Sequence, residues 1–289
     1  MMIPGITHFS NENLINELQQ RKGLIPVSIN LEQQTLTWLD VGGYHFYEGF
    51  FRKSIQVLSV LKKELVSFTT DLSILEDDRI ADDFIYPSGF IFHAGHCRST
   101  ALAKSLARSR TNLVLSEATP LSQILSLFDP VSTFTDNSRT DRNTSIYRNL
   151  VLALCRHRVE THANVFIKFT SHNIHFFDLI HAAFPDVPAI FLSRDAVEIA
   201  SSFRKQPPGW LKEGDDLEKI VSGFLNRAQR ITPEKLRLVD HLAITPEKLT
   251  QVLDHFKVYP SETEMDIMKS QFNYDSKVEF NRKKFVKYQ

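Results

Sequence analysis

The stretch Phe90–Leu102, with the sequence FIFHAGHCRSTAL, decides how this chain folds. Its apolar first half is typical of a buried strand. A short turn with glycine, basic residues and hydroxyls follows, and an amphipathic helix begins at once. Such a turn points backbone N–H groups and the positive end of a helix at one place, which suits a phosphate group. Strand–turn–helix corners also occur without a ligand, so the pattern alone leaves both interpretations open.

The alternation of strand and helix continues to residue 240. We predict strands over 89–95, 112–117, 164–170, 187–194 and 236–240. We predict helices over 99–109, 119–128, 144–163, 173–184 and 195–205, with a polar loop over 129–143. Continuous apolar strands between helices indicate a parallel sheet that is covered on both faces. The predicted fold class is α/β, a P-loop-type parallel sheet flanked by helices.

The first 85 residues have a different pattern. Residues 11–21 are predicted to form a helix, 25–31 and 34–40 alternate as strands do, and apolar residues from Phe51 to Leu65 repeat at helical spacing. We interpret 1–85 as a small α+β appendage to a main domain over 86–289. The acidic, turn-like segment from Asp77 to Asp83 is the predicted connector.

Composition excludes several classes of protein. The chain has 289 residues, 42% of them hydrophobic, with 2 cysteines and 34 basic against 34 acidic side chains. These values exclude a disordered, collagen-like or disulfide-stapled chain, and zero net charge argues against a broad nucleic-acid surface. No apolar run approaches the roughly 18 residues of a membrane span, and the start lacks a signal-peptide pattern. We therefore predict a soluble, cytoplasmic protein without a nucleic-acid partner.

The turn is not the phosphate loop of a nucleoside triphosphatase. That motif requires G-x-x-x-x-G-K-[ST], and no Gly-Lys-Ser/Thr follows Gly95. Lys104 lies about one turn into the predicted helix, too far along to be the motif lysine. No apolar strand clearly ends in an aspartate that would hold Mg²⁺, which argues against kinase chemistry.

Two blocks of residues resemble the sulfotransferases that use 3′-phosphoadenosine 5′-phosphosulfate (PAPS). The first is His96-Cys97-Arg98-Ser99-Thr100, which aligns with the basic, small, Gly, Ser/Thr, Thr pattern of that family. The second, from Arg194-Asp195 to Ser202, is similar to the family's Arg-Asp/Asn…Ser pattern at a strand end and helix start. The resemblance covers about residues 87–260, and its strands are similar to those of the bacterial branch.

The resemblance implies a set of cofactor contacts. Arg194 and Ser202 match the residues that hold the 3′-phosphate of PAPS. The residues expected to bind the 5′-phosphosulfate are Gly95, His96, Cys97, Arg98, Ser99, Thr100 and Ala101.

Two positions of the first block depart from the family pattern. His96 replaces a lysine or arginine, and Arg98 replaces a glycine that commonly permits a left-handed backbone. Arg98 either holds an ordinary conformation and lends its guanidinium to a phosphate, or belongs to a degenerate loop.

The resemblance also implies catalytic roles. Glu117 ends a predicted strand beside the loop, and in tyrosylprotein and carbohydrate-type relatives a glutamate at that strand end is the base. The alternative for Glu117 is a helix-capping carboxylate. His96 is the candidate acid or electrostatic partner of the leaving phosphate. Lys168 is a further candidate that can reach the site, or a lysine that extends to solvent; Lys104 is a weaker one.

The predicted function is transfer of a sulfuryl group from PAPS to an alcohol, phenol or amine, on a small molecule, peptide or carbohydrate, with 3′,5′-ADP released. One alternative is a nucleotide-dependent phosphotransferase, and another is a non-catalytic binding module with the same fold. The pairs His93/His96 and His172/His175 are compatible with a metal, but sulfuryl transfer needs none, so no metal site is predicted. The segment Gln206–Lys212 is a candidate acceptor cover. The basic residues between Lys277 and Lys287 are interpreted as a solvated tail.

Overall fold

The computed structural model describes residues 7–62, 64–128, 137–209 and 211–274. Within these ranges the chain forms two β-sheets. The strands are β1 (Thr7–His8), β2 (Leu24–Asn30), β3 (Thr35–Asp40), β4 (Ser67–Asp71), β5 (Pro87–His93), β6 (Asn112–Ser116), β7 (Asn164–Lys168), β8 (Ala189–Ser193) and β9 (Arg237–Asp240). Strands β5 to β9 form a parallel sheet in the order β6-β7-β5-β8-β9, and β1 to β4 form a smaller mixed sheet.

The large sheet is buried because its strands are apolar along their whole length. Every residue of β6 is buried, as are Phe90, Ile91 and Phe92 in the central strand β5. Helices cover both faces, as expected for a parallel sheet. The helices are α1 (Asn11–Gln20), α2 (Phe51–Leu61), α3 (Ser99–Leu106), α4 (Thr119–Leu125), α5 (Asn137–Leu154), α6 (Phe177–Ala183), α7 (Ala196–Lys205), α8 (Leu217–Gln229), α9 (Leu249–His255) and α10 (Glu262–Ser270). The predicted α/β class with a parallel sheet is confirmed.

The order of the strands locates the ligand-binding edge. After β5 the chain continues to β6 and β7 on one side of β5, and then crosses to β8 and β9 on the other. Ligands of open α/β sheets bind beyond the carboxyl ends of the strands at such a reversal. The turn that follows His93, the last residue of β5, lies at this edge.

The longest helix was misplaced by the sequence analysis. It covers Asn137–Leu154 instead of 144–163, so residues 137–143 of the predicted polar loop are helical, and 129–136 lie outside the described residues. The helix ends early because the following backbone pairs with the connector before β5. Ile85 N–H donates to the Cys155 carbonyl at 2.9 Å, and His157 N–H donates to the Asp83 carbonyl at 2.8 Å.

The N-terminal unit packs directly on the main sheet's helices. The side-chain amide of Gln123 in α4 makes two 2.8 Å hydrogen bonds with the backbone of Ile29 in β2. Arg156 donates to the Leu18 carbonyl at 2.7 Å. One apolar core includes residues of both units, such as Trp38 and Phe92. The division at residue 85 stays a prediction.

Several elements are not predicted from the sequence, namely the strands β1 and β4 and the helices α8, α9 and α10. Two of these helices carry start signals that were present in the sequence. Asp216 caps α8, and Ser261 forms a capping box with Glu264 at the start of α10. Among the helices of the described ranges, none has the length and apolar character needed to cross a membrane.

Candidate active site

The turn after β5 requires a glycine at its first strained position. Gly95 has φ +104°, and a Cβ placed there would lie 2.3 Å from Cζ of Phe203 in α7. Both the backbone conformation and the aromatic ring exclude a side chain. Gly95 therefore lets the turn approach α7, the helix that carries Ser202 and begins two residues after Arg194.

Arg98 has a strained backbone and a side-chain contact within the protein. Its φ is +64°, in the left-handed region, so the alternative in which it holds an ordinary backbone conformation is wrong, whereas its contact with a phosphate stays a prediction. Arg98 thus takes the conformation that the family glycine would permit, at a cost of roughly 1–2 kcal/mol. Its guanidinium donates to the Ile244 carbonyl at 3.2 Å, which ties the start of α3 to the segment after β9.

His96 connects the turn to both residues of the second block. Its Nδ1 is hydrogen-bonded to the Ser202 hydroxyl. The Arg194 guanidinium donates to the His96 carbonyl at 3.4 Å. The imidazole also lies edge-on to Phe203, with ring centroids 4.9 Å apart. Two stretches separated by about a hundred residues in the sequence therefore meet at one place.

An open cleft lies beside these contacts. It has a volume of about 490 Å³ and is lined by Arg194, Val197, Glu198, Ser201, Ser202 and Lys205. Two cations and two hydroxyls in one cleft suit a phosphate group. Arg194 forms an ion pair with Glu198, whose carboxylate accepts a hydrogen bond from Arg194 Nε at 2.5 Å. This exposed pair is one that an incoming phosphate can replace at little cost.

Glu117 and Lys168 form an ion pair at the carboxyl ends of β6 and β7. The Lys168 side chain is fully buried, so the alternative of a lysine extended to solvent is wrong. Glu117 has φ +54° and a side chain that is 24% exposed. The capping alternative for Glu117 has no support, because the N-cap residue of α4 is Ala118 and no side chain caps it.

The charge of Glu117 is fixed by its neighbours. Burial alone would raise the pKa of Glu117, but the Lys168 ammonium and the His93 side chain outweigh burial and lower this pKa to about 2. Burial and the Lys168 charge lower the pKa of His93. At neutral pH the cluster therefore consists of a carboxylate, an ammonium and a neutral imidazole.

The N-terminal unit supplies site residues that the sequence analysis did not identify. The ring of Phe50, which is 46% exposed, lies with its centroid 5.3 Å from Lys168 Nζ. The Gly49 carbonyl accepts from the Ser116 hydroxyl at 2.7 Å. A Cβ on Gly49 would lie 2.7 Å from Thr100 Cγ2. The Gly49 backbone therefore lies between the start of α3 and the end of β6.

The remaining predicted residues of the turn and of the start of α3 differ in burial. Cys97 and Ser99 are buried, whereas Thr100 and Ala101 are partly exposed at the start of α3. The basic stretch from Lys277 to Lys287 lies outside the described residues, as does Trp210 in the candidate acceptor cover. No group of three or more His, Cys, Asp or Glu side chains within the described ranges is placed to hold a metal ion.

The candidate site thus combines the carboxyl edge of a parallel sheet, the turn after β5 and a cluster of Glu117, Lys168 and His93. No family model matches this chain, and no curated protein matches it. Several of the solved structures that align with it are sulfotransferases. STF9 from Mycobacterium avium aligns with TM-score 0.47 and 12% identity over 94% of this chain and 89% of that chain. STF1 from Mycobacterium tuberculosis aligns with TM-score 0.44 and 10% identity over 81% and 87%.

A third alignment is with the sulfotransferase domain of the curacin biosynthetic pathway, with TM-score 0.40 and 16% identity over 63% of this chain and 77% of that chain. All three TM-scores are below 0.5, so the assignment of chemistry rests on the residues of this chain.

Substitution of Gly95 tests the turn. We expect Gly95→Ala to lower the free energy of unfolding by roughly 2–4 kcal/mol, because the methyl group meets Phe203 and the left-handed backbone becomes strained. The measurement is urea unfolding. Gly223→Ala, in the middle of α8 with nothing within 4 Å of the new Cβ, is the matched control and should be neutral or stabilising. Equal stability of wild type and Gly95→Ala would contradict this account of the turn.

Proposed function

We propose that this chain is a PAPS-dependent sulfotransferase. The observation that carries the proposal is the joining of the two sequence blocks: His96 contacts Ser202 through its side chain and Arg194 through its carbonyl. The 3′-phosphate distinguishes PAPS and 3′,5′-ADP from common adenine nucleotides. Arg194 and Ser202, which share one cleft, are the residues we assign to that phosphate.

The phosphate turn holds the other end of the donor. Backbone N–H groups at the start of α3 and the left-handed residues before it suit the 5′-phosphosulfate. His96 in the turn and Thr100 at the start of α3 are partly exposed, and we assign His96 to the charge that develops on the departing 5′-phosphate. PAPS itself supplies an activated sulfuryl group with 3′,5′-ADP as the leaving group.

Glu117 is the base that we assign to the acceptor. The Lys168 ammonium contacts Oε1 of the carboxylate, and the side chain is 24% exposed, so we assign Oε2 to take the proton of an acceptor hydroxyl or amine. A pKa lowered to about 2 keeps Glu117 ionised at every physiological pH. If Lys168 turns toward the sulfuryl oxygens during transfer, the pKa of Glu117 rises and the carboxylate becomes a stronger base.

A nucleotide screen tests the proposal without knowledge of the acceptor. We expect 3′,5′-ADP to raise the melting temperature more than 5′-AMP at equal concentration, because a bound ligand stabilises the folded state in proportion to the logarithm of [L]/Kd. ATP with Mg²⁺ is the third arm. A larger shift with ATP–Mg²⁺ than with 3′,5′-ADP would favour the phosphotransferase alternative. Nucleotide binding without turnover of any acceptor would favour the non-catalytic module.

A further inference from the structure

His93 has no role in the function proposed so far, yet it adjoins the acid–base cluster. It is the last residue of β5, and its side chain is almost fully buried. Its Nδ1 lies 3.3 Å from the Ser171 hydroxyl, and its Nε2 lies 3.5 Å from Oε1 of Glu117. Among the described residues, this buried Nε2 has no hydrogen-bond partner within ordinary geometry.

A buried N–H without a hydrogen-bond partner costs free energy. The nearest acceptor is therefore the best candidate for its partner. A neutral imidazole carries one ring proton. The two ring contacts fit the tautomer in which the Ser171 hydroxyl donates to Nδ1 and the ring proton lies on Nε2, the nitrogen that faces the Glu117 carboxylate. Catalytic hydrogen bonds are often long before substrate binds and shorten in the complex. The 3.5 Å separation is therefore compatible with a donor that engages when the acceptor is bound.

We propose that His93 is a positioning residue for Glu117: with Lys168 it holds Oε1, so that Oε2 faces the acceptor. The inference rests on the proposed function, in which Glu117 takes the acceptor's proton. Lys168 from β7, His93 from β5 and Ser171 after β7 face this carboxylate and imidazole, and the Phe169 backbone also contacts the imidazole. Two donors on the same oxygen favour the orientation in which Oε1 faces Lys168 and His93.

The test compares two amides at position 93. Glutamine can place its N–H near the position of imidazole Nε2, which faces Glu117. Asparagine reaches only the position of Nδ1, so it can keep the contact with Ser171 but not the contact with Glu117. The readout is the titration midpoint of the Glu117 carboxyl carbon in protein labelled with [¹³Cδ]glutamate, assigned by its loss in Glu117→Gln. We expect His93→Asn to raise this midpoint by about one pH unit and His93→Gln to leave it near wild type.

Turnover provides a second readout in the same proteins. We expect His93→Asn to lower kcat about tenfold with the KM for PAPS unchanged, and His93→Gln to restore most of the rate. If His93→Asn fails to fold, Ser171→Ala removes the hydroxyl that contacts His93 Nδ1. This variant should move the titration midpoint of the Glu117 carboxyl in the same direction.

The two readouts fail independently. An unchanged Glu117 midpoint in His93→Asn, or an equal shift in both amide variants, overturns the positioning role even if the protein is an active sulfotransferase. Absence of turnover in wild type, together with the expected midpoints, overturns the proposed function and leaves the contact between His93 and Glu117 established.

Discussion

Replacing Glu117 by glutamine is expected to lower turnover by roughly 10²–10⁴-fold, the usual contribution of a general base. Glutamine has the same shape and its carbonyl can still accept from Lys168, but it cannot take the acceptor's proton. The affinity for 3′,5′-ADP should stay near wild type, because Glu117 lies with Lys168 and His93, whereas the Arg194 cleft is built by α7. The measurement is kcat with a true acceptor, with nucleotide affinity determined in parallel.

Glu117→Asp is the control for charge. It keeps a carboxylate near Lys168 but shortens the reach by one methylene, so we expect an activity between glutamine and wild type. A Glu117→Gln enzyme with full activity would show that another group takes the proton.

The second large effect concerns stability. Removing the Lys168 ammonium in Lys168→Met leaves the Glu117 carboxylate largely buried beside a neutral histidine. Loss of one partner of a buried ion pair typically costs about 3–5 kcal/mol, and we expect about 3 kcal/mol because Glu117 is partly exposed. The double variant Lys168→Met/Glu117→Gln should recover much of this loss, because the uncompensated charge is then absent.

The loss should depend on pH in a defined direction. In wild type the folded-state pKa of Glu117, about 2, lies below its ordinary value of 4.5. Its contribution to stability is therefore complete above pH 4.5 and declines as the pH falls toward 2. In Lys168→Met the pKa of Glu117 rises, so the destabilisation should be larger at pH 7 than at pH 4. Urea unfolding at the two pH values measures it, and equal losses would contradict the ion-pair account.

The parts of the site that could be predicted are those carried by local sequence. The apolar run before Gly95 and the Arg194–Ser202 spacing both follow from adjacent residues, and strand order then brings the two blocks to one sheet edge. The left-handed conformation of Arg98 had one signal, the glycine that stands at this position in the family pattern. The residue type itself argues against that conformation, because an arginine ordinarily avoids it and only the surrounding fold imposes it.

Contacts between elements that are distant in the sequence could not be predicted from local patterns. His93 was considered only as half of a metal-type pair, since nothing in its neighbourhood shows that Glu117, on another strand, lies beside it. Phe50 belongs to the N-terminal unit, and its approach to Lys168 depends on how that unit packs on the main sheet. The end of α5 was misplaced for the same reason, because pairing with residues 83–85 replaces helical hydrogen bonds that the sequence permits.

The central claim is that Arg194 and Ser202 recognise a 3′-phosphate, and calorimetric titration of 3′,5′-ADP and 5′-AMP tests it most directly. We expect wild type to prefer 3′,5′-ADP and Arg194→Ala to lose most of that preference, since a charge-assisted phosphate contact contributes roughly 1.5–3 kcal/mol, or about 10–150-fold in Kd. Arg204→Ala, on the same helix but paired with Glu218 at the surface, is the matched control and should keep the preference. Equal affinities of wild type for the two nucleotides, or a preference that survives in Arg194→Ala, would contradict the assignment.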